Sequence, residues 1–314
     1  MIVNRNCFGK LLLLINAKNY QITNQKTRKI LLASCFLFLF TNAFIPIASA
    51  QKAVILNFDD DWRGQFTYAV PILDKYGFKA SFFVTCGCLT YQNGSFCNNA
   101  GGDSAMTWED ITLLSKMDYD IQAHGMSHKD LTTLSAGGLE YEVGQTKQCL
   151  LEHGFNSTVF GSPYASGEGN STIINTISKY YEMGRMGYGP LVYLNSTDRY
   201  SLPVLTDYQA QAMYRDNSTR ILDIFIEAVN NQTQFNTNGT ITAIPIIVYH
   251  NVDYKNNTSN ISPNWLDSTI DVNLFDSEMK YLHDNGFQVL TMSDLGYNHT
   301  SNKLYIRNNT DDSF

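Results

Sequence analysis

Short apolar runs alternate with stretches of helical spacing along most of this chain. The run Val54–Phe58 is followed by helical spacing from Phe66 to Tyr76 and then by a second compact run, Ala80–Thr85. Strands and helices that alternate in this way are joined by crossovers, which makes the strands parallel in one sheet. The pattern predicts a single α/β domain, and 314 residues of which 44% are hydrophobic can form one sizeable core.

The alternation continues almost to the carboxyl terminus. Further helices are predicted over residues 107–117, 138–152, 171–181, 218–230 and 274–285, and further strands over 120–123, 157–160, 244–249 and 287–290. Residues 183–216 are predicted to be a loop with short strands, and residues 251–269 a long surface loop. The predicted domain therefore covers residues 51–297, and a frayed polar tail covers residues 298–314.

Residues 1–50 have the pattern of a signal peptide. A basic stretch around Arg28 precedes the apolar run Ile30–Ile47, which ends in the small residues Ala48-Ser49-Ala50. An uncleaved N-terminal anchor is the alternative, because the apolar run approaches the roughly 20 residues that a bilayer requires. Both interpretations predict a secreted or cell-surface protein.

The rest of the chain also has features of an exported protein. Twelve Asn-x-Ser/Thr sequons lie between Asn93 and Asn308, which predicts a glycosylated surface. Four cysteines follow the leader, an even number that permits disulfides outside the cell. A Cys88–Cys97 bond would close a short loop, but three pairings are open for Cys86, Cys88, Cys97 and Cys149. A zinc site at Cys86-x-Cys88 is the weaker alternative.

The charge of the chain excludes some classes of partner. The formal net charge is −7, although residues 1–50 hold six Lys or Arg and no acid, so the remainder is still more acidic. An acidic surface does not attract nucleic acid or anionic headgroups, so no nucleic-acid partner is expected. Membrane contact is expected only through an uncleaved N-terminal segment, and a neutral glycan is a suitable partner.

Chemically reactive side chains follow several of the predicted strands. Asp59-Asp60-Asp61 comes directly after the first strand, and His124, His128 and His250 also follow strands. Because the carboxyl ends of parallel strands meet at one edge, these side chains are predicted to converge. A solvated acidic turn and solvent-facing histidines are the alternative interpretation. The other histidines, His153, His283 and His299, fall on predicted helix or tail positions and are given no role.

Two histidines four residues apart can share one metal ion with a carboxylate. Such a ligand set leaves coordination positions open for water and substrate, which is typical of a catalytic site. A divalent metal is therefore predicted, with zinc as the first choice. Cobalt, nickel and iron also accept imidazole and carboxylate ligands.

The ordered motifs resemble the NodB-type polysaccharide deacetylases, carbohydrate esterase family 4. Asn57-Phe-Asp-Asp-Asp61 is similar to the family's T-F-D-D-G, and Ala80-Ser-Phe-Phe-Val84 to its A-T-F-F-V strand. His124-Gly-Met-Ser-His128 resembles H-[ST]-x-x-H, Phe160-Gly-Ser-Pro-Tyr164 resembles R-x-P-[YF], and Val248-Tyr-His250 resembles L-x-H. The segment from Phe275 to Leu295 is similar to the family's closing helix and strand.

This resemblance implies a fold, a reaction and a role for each matching residue. The fold would be a distorted (β/α)7-type barrel that forms a single catalytic domain. Asp60, His124 and His128 would bind the metal, and Asp59 would be the general base that activates water. Pro163 would fix the loop that presents the backbone N–H of Tyr164 to the oxyanion, and His250 would protonate the departing amine. The substrate would be an N-acetylated polysaccharide or oligosaccharide, and acetate would be released.

The sequence departs from the family pattern at several positions. Gly161 replaces the arginine that orients the base, and Arg185 is our candidate for the missing guanidinium. Asp61 replaces a glycine, which is tolerable because Asp accepts a positive φ better than most residues. Asp198 and Asp207 are candidates for the fourth motif, and Trp62 and Trp108 could stack on sugars, although tryptophans are more often buried in cores.

Two other functions remain open from the sequence. Loss of the arginine would suit a glycan-binding protein that keeps the fold without catalysis. Alternatively, the same metal centre would suit a deacylase of non-sugar amides or O-acetyl esters.

Overall fold

The computed structural model describes residues 51–90, 105–206, 211, 213, 217–255 and 268–307. The strands in this part of the chain are β1 (Ala53–Asp59), β2 (Ser81–Val84), β3 (Asp120–Ala123), β4 (Val159–Gly161), β5 (Met183–Tyr188), β6 (Val192–Tyr193), β7 (Leu202–Thr206), β8 (Ala243–Ile244), β9 (Ile246–Tyr249), β10 (Asn251–Asp253), β11 (Thr269–Asp271), β12 (Gln288–Leu290), β13 (Leu295–Asn298) and β14 (Lys303–Ile306).

The helices lie mostly between these strands. They are α1 (Val70–Tyr76), α2 (Cys86–Thr90), α3 (Trp108–Lys116), α4 (Ala136–Glu140), α5 (Thr146–Glu152), α6 (Ser171–Ile177), α7 (Ser218–Asn230) and α8 (Val272–Asp284). Two π-helical turns extend them, Gln65–Ala69 before α1 and Tyr141–Gln145 between α4 and α5. The helix predicted over 138–152 is therefore present but is divided by a π turn.

Seven parallel strands close into a barrel in the order β1-β2-β3-β4-β5-β7-β9, and β9 pairs back to β1. The predicted (β/α)7-type barrel in a single domain is thus confirmed. The barrel is distorted at β1, because β12 pairs with its first half and β2 pairs with its second half. This arrangement leaves the carboxyl end of β1 between β2 and β9.

The first strand is buried along its whole length and packs on two sides. Val54, Leu56 and Phe58 belong to the core that includes helix residues such as Phe275 of α8, whose ring centroid lies 5.9 Å from that of Phe58. Ala53 and Ile55 belong to a second cluster that is formed mainly by other barrel strands. Because side chains alternate along a strand, Asp59 projects to the same side as Ile55, toward the barrel interior.

Three segments differ from the sequence prediction. The region 183–216 was predicted to be a loop with short strands; short strands are present, but two of them, β5 and β7, are full members of the barrel and not parts of a loop. The ends of the predicted surface loop 251–269 form the parallel pair β10 and β11, with Val252 buried. Residues 295–306 form the β13–β14 hairpin, and Leu304 is buried, so ordered structure extends past the predicted boundary at 297.

A disulfide links Cys86 at the start of α2 to Cys149 in α5. This bond excludes the alternative zinc site at Cys86-x-Cys88. Cys97 of the suggested Cys88–Cys97 pairing lies outside the described ranges. The whole of the predicted leader, residues 1–50, also lies outside them. Within the residues that the structure describes, none of the helices is long and apolar enough to cross a membrane.

Candidate active site

Three consecutive aspartates at the end of β1 reach three different partners. The φ angles of Asp60 and Asp61 are 76° and 56°, and two left-handed residues in succession turn the chain sharply. Asp59 contacts Arg185, Asp60 faces His124 and His128, and Asp61 accepts a hydrogen bond from the Thr85 N–H at 2.9 Å. The expected positive φ at Asp61 is confirmed. The turn directs the three buried carboxylates to different partners.

Asp60, His124 and His128 form a cluster that can hold a metal ion. Asp60 Oδ1 lies 3.4 Å from His124 Nε2 and 3.0 Å from His128 Nε2, and all three residues are buried. Ligand atoms about 2 Å from a shared tetrahedral zinc would be roughly 3.3 Å apart. Within the described part of the chain, Oδ1 has no hydrogen-bond partner of good geometry. An unsatisfied buried carboxylate oxygen between two imidazoles fits a divalent cation.

Two neighbouring groups favour the arrangement that a metal requires. His124 Nδ1 lies 2.8 Å from the carbonyl oxygen of Gly161 on β4, which fixes the ring and directs Nε2 toward Asp60. Burial opposes ionisation of Asp60, but the charge of His128 and the close approach of the His124 and His128 imidazoles hold the pKa of Asp60 well below its usual range. Asp60 is therefore anionic and available as a ligand.

Asp61 has the opposite electrostatic character. Burial raises the pKa of Asp61 well above its usual range, and the charges of Asp60 and Asp59 raise it further, against the Thr85 hydrogen bond. Adjacent carboxylates thus differ because one is surrounded by imidazoles and the other by apolar surface and like charge.

Arg185 lies on β5 and binds Asp59 with one nitrogen. Its Nη2 lies 2.7 Å from both carboxylate oxygens, and its guanidinium carbon lies 4.1 Å from the centre of the Phe83 ring. Gly161 makes this possible, because a Cβ there would overlap Nη2 and lie 2.6 Å from a Phe83 ring carbon. Glycine at position 161, where the family pattern has arginine, therefore provides the space that the Arg185 guanidinium fills.

Of the remaining predicted residues, Tyr164 and His250 line the same pocket and Pro163 adjoins it. His250 Nε2 lies 4.0 Å from Asp60 Oδ2, and the ring of Tyr164 packs edge-on against His128 at 4.7 Å between centroids. Tyr164 has φ 61°, and the loop that contains it begins at the buried Pro163. The cavity has a volume of about 350 Å³, within the roughly 300–1,000 Å³ typical of small-molecule sites. The structure therefore brings all eight predicted site residues to one end of the barrel.

Several other sequence candidates do not reach this pocket. Trp62 is buried and cannot stack on a sugar, and Trp108 stacks on His153 at 3.6 Å between ring centroids. Asp198 is exposed in a turn where it accepts the N–H groups of Tyr200 and Ser201. Asp207 lies outside the described residues.

The sequence analysis missed three residues that shape the site. Gln65 Nε2 donates to the carbonyl oxygens of Asp59 and His250, at 2.5 and 2.8 Å, and so joins the ends of β1 and β9. Tyr188, 59% exposed, lines the pocket, and its hydroxyl lies 3.2 Å from the Tyr164 carbonyl oxygen. Glu142 binds the loop between the two metal-ligand histidines. These residues occur in ordinary helical or glycine-rich sequence, so no local pattern identifies them.

Comparison with known sequences finds a family whose profile matches part of the chain. Residues 47–182 match the profile of the family described as polysaccharide deacetylase. This match covers less than half of the chain, and over these residues the chain is similar to the polysaccharide deacetylases. The resemblance seen in the motifs is thereby confirmed, and the members of this family are hydrolases of carbon–nitrogen bonds other than peptide bonds.

Individual relatives are distant. YxkH of Bacillus subtilis (strain 168), whose name assigns it provisionally to the polysaccharide deacetylases, is 24% identical over 136 residues. The match covers 43% of this chain and 44% of YxkH, so it spans less than half of that relative. A pseudoenzyme of the CE4 family from Bacillus anthracis superposes with a TM-score of 0.50 at 13% identity, over 77% of this chain and 64% of that one.

A second solved structure is the peptidoglycan deacetylase PdaC from Bacillus subtilis. It is 20% identical, with a TM-score of 0.48, and the alignment covers 77% of this chain and 89% of that one. At 13% identity, the superposition on the Bacillus anthracis pseudoenzyme supports the barrel fold alone.

Proposed function

We propose that this protein is a metal-dependent deacetylase that removes N-acetyl groups from amino sugars of an extracellular polysaccharide and releases acetate. One observation carries the proposal: two adjacent carboxylates at the end of β1 have separate partners. Asp59 is bound by a guanidinium, and Asp60 faces two imidazoles. A hydrolase of this type requires one carboxylate to accept a proton and another to hold a cation.

The side chains of the pocket have complementary roles in this proposal. A divalent cation held by Asp60, His124 and His128, with zinc the first choice, would make a water more acidic and polarise the acetamide carbonyl. Asp59 accepts the proton of the attacking water, and Arg185 fixes the orientation of the Asp59 carboxylate. The backbone N–H of Tyr164 stabilises the oxyanion, and His250 protonates the departing amine.

The shape of the pocket supports a sugar as substrate. Tyr164 and Tyr188 are 52% and 59% exposed at its rim, and exposed aromatic rings offer an apolar face to a sugar ring while their hydroxyls bond to water or sugar oxygens. The acidic chain, with a net charge of −7, suits a neutral or cationic polymer.

The proposed location is outside the cell. The Cys86–Cys149 disulfide supports it, because disulfides persist in oxidising compartments. The leader-like residues 1–50 and the sequons support the same location and predict N-glycosylation.

Acetate release from an N-acetylglucosamine oligomer tests the proposal. The full chain, supplied with Zn²⁺, is expected to release acetate, and the Asp59→Asn variant to lose about 100-fold to 10,000-fold of the rate, the usual contribution of a general base. Substrates with O-acetyl groups or non-sugar amides are assayed in parallel.

The outcomes separate the candidate functions. Turnover of only the esters or non-sugar amides would replace the proposed substrate class. Oligomer binding without acetate release, with both Zn²⁺ and Co²⁺ supplied, would favour the glycan-binding alternative. The Arg185–Asp59 contact opposes that alternative, because it restores the guanidinium whose loss at position 161 suggested it.

A further inference from the structure

The loop between the two metal-ligand histidines has an unusual backbone. Gly125 has φ 88° and His128 has φ 54°, so two of its residues are left-handed within five positions. A non-glycine residue in this region needs support from its surroundings. The position of His128 relative to His124 therefore depends on what holds the loop.

The carbonyl groups of this loop are held by the start of α2. The N–H of Cys86 donates to the Gly125 carbonyl at 2.9 Å, and the N–H of Gly87 donates to the Met126 carbonyl at 2.9 Å. The carbonyl oxygens of two successive peptide units, Gly125–Met126 and Met126–Ser127, are thus both hydrogen-bonded.

The N–H groups of the same two peptide units are held by Glu142 from the opposite direction. Its Oε2 accepts the N–H of Met126 at 2.9 Å and the N–H of Ser127 at 3.0 Å, and its Oε1 accepts the Ser127 hydroxyl. A Cβ at residue 125 would lie 2.9 Å from Oε2, so glycine allows this close approach. Glu142 is 2% exposed, and three donors compensate the burial of its carboxylate.

We propose that Glu142 is a positioning residue that sets the separation and direction of His124 and His128 for a divalent cation. It acts through two of the four peptide units that join them, and the inference rests on the proposed metal site. The Cys86–Cys149 disulfide supports the arrangement, because it links the start of α2, which holds the carbonyls, to α5, which follows the turn that carries Glu142.

Zinc affinity of the full chain, measured by competition with a chromogenic chelator, tests this role without an activity assay. Glu142→Ala is expected to weaken Zn²⁺ binding roughly 10-fold to 100-fold, the range found for residues that support metal ligands. Glu142→Gln is expected to restore most of the affinity, because its amide oxygen can accept both N–H groups while its NH₂ donates to Ser127. Ser127→Ala, which removes one of the three bonds, is expected to lie between Glu142→Ala and the unaltered protein.

Glu140→Ala is the matched control, since Glu140 lies two residues away and pairs with Lys179 at 3.1 Å. It is expected to bind Zn²⁺ like the unaltered protein. Thermal unfolding of each metal-free variant shows whether its fold is intact, and Ser127→Ala remains informative if Glu142→Ala unfolds. The inference is overturned if folded Glu142→Ala and Ser127→Ala bind Zn²⁺ as tightly as the unaltered protein. An unaltered protein that binds no Zn²⁺ overturns the proposed function as well.

Discussion

Two aspartates at opposite ends of the barrel differ in how their carboxylates are satisfied. Asp120 begins β3, and its oxygens accept hydrogen bonds from Ser81, Gln122 and Ser293, the last through both hydroxyl and N–H. Asp60 follows β1 at the other end, and its Oδ1 faces two imidazoles without a hydrogen bond of good geometry from the described residues. A saturated carboxylate stabilises a fold, whereas an incompletely satisfied one is available to a ligand.

Removal of the Asp60 charge is expected to have the largest effect. Asp60→Asn should reduce acetate release about 1,000-fold, because loss of a cation that stabilises developing charge costs several kcal/mol. Asp120→Asn serves as the matched control at the other end of the barrel and should retain most of the rate. Equal rates of acetate release for Asp60→Asn and the unaltered protein would contradict the idea that Asp60 serves a ligand whereas Asp120 serves the fold.

Truncation of Asp120 is expected to affect stability instead of activity. Asp120→Ala leaves the hydroxyls of Ser81 and Ser293 and the amide of Gln122 without this acceptor, so the free energy of unfolding should fall by about 2–3 kcal/mol. Urea unfolding measures the loss, and zinc affinity should stay unchanged. A weaker zinc affinity in the folded variant would show that the two ends are coupled.

Variants at Arg185 test the contact between its guanidinium and Asp59, the carboxylate next to Asp60. Arg185→Met should lower kcat about tenfold, or about 1.4 kcal/mol, with little change in KM, because it loosens the orientation of Asp59. Gly161→Ala should also lower kcat, since its methyl displaces the guanidinium. The double variant should lose less than the two single losses combined, because both changes remove the contact between Arg185 and Asp59, although the added methyl also meets the Phe83 ring. Fully additive losses in steady-state kinetics would contradict this coupling.

The smallest expected effect is a pH dependence at Asp120. Burial raises the pKa of Asp120, against its hydrogen bonds to Ser293, Ser81 and Gln122. A raised native pKa means that the contribution of this group to stability is complete below its ordinary pKa and declines as the pH rises through the native value. The stability of the unaltered protein relative to Asp120→Asn should therefore fall between acidic and neutral pH. Urea titrations at several pH values that show a constant difference would refute this.

Much of the site could be predicted because its residues follow strands. Asp59, Asp60, His124, His128 and His250 each lie just beyond an apolar run, and parallel strands bring such positions together. Arg185 was predicted from the absence of an arginine at position 161, although the glycine-rich sequence around it concealed the strand β5. The β10–β11 pair was missed because its strands are three residues long and lack an alternating pattern.

The sequence by itself determined the alternating α/β architecture and the identity of the reactive side chains, because these depend on local periodicity and residue type. The barrel was expected only from the resemblance of the ordered motifs to a known family. The resemblance implied different roles for Asp59 and Asp60, but only the tertiary structure showed the distances at which each carboxylate meets its partners and the hydrogen bond that Asp61 accepts from Thr85. Asp59, Asp60 and Asp61 are identical in chemistry and adjacent in sequence, and their environments differ through residues 24 to 126 positions away. Contacts between distant segments form only when the barrel closes, so the assignment of Glu142 and Gln65 required the fold.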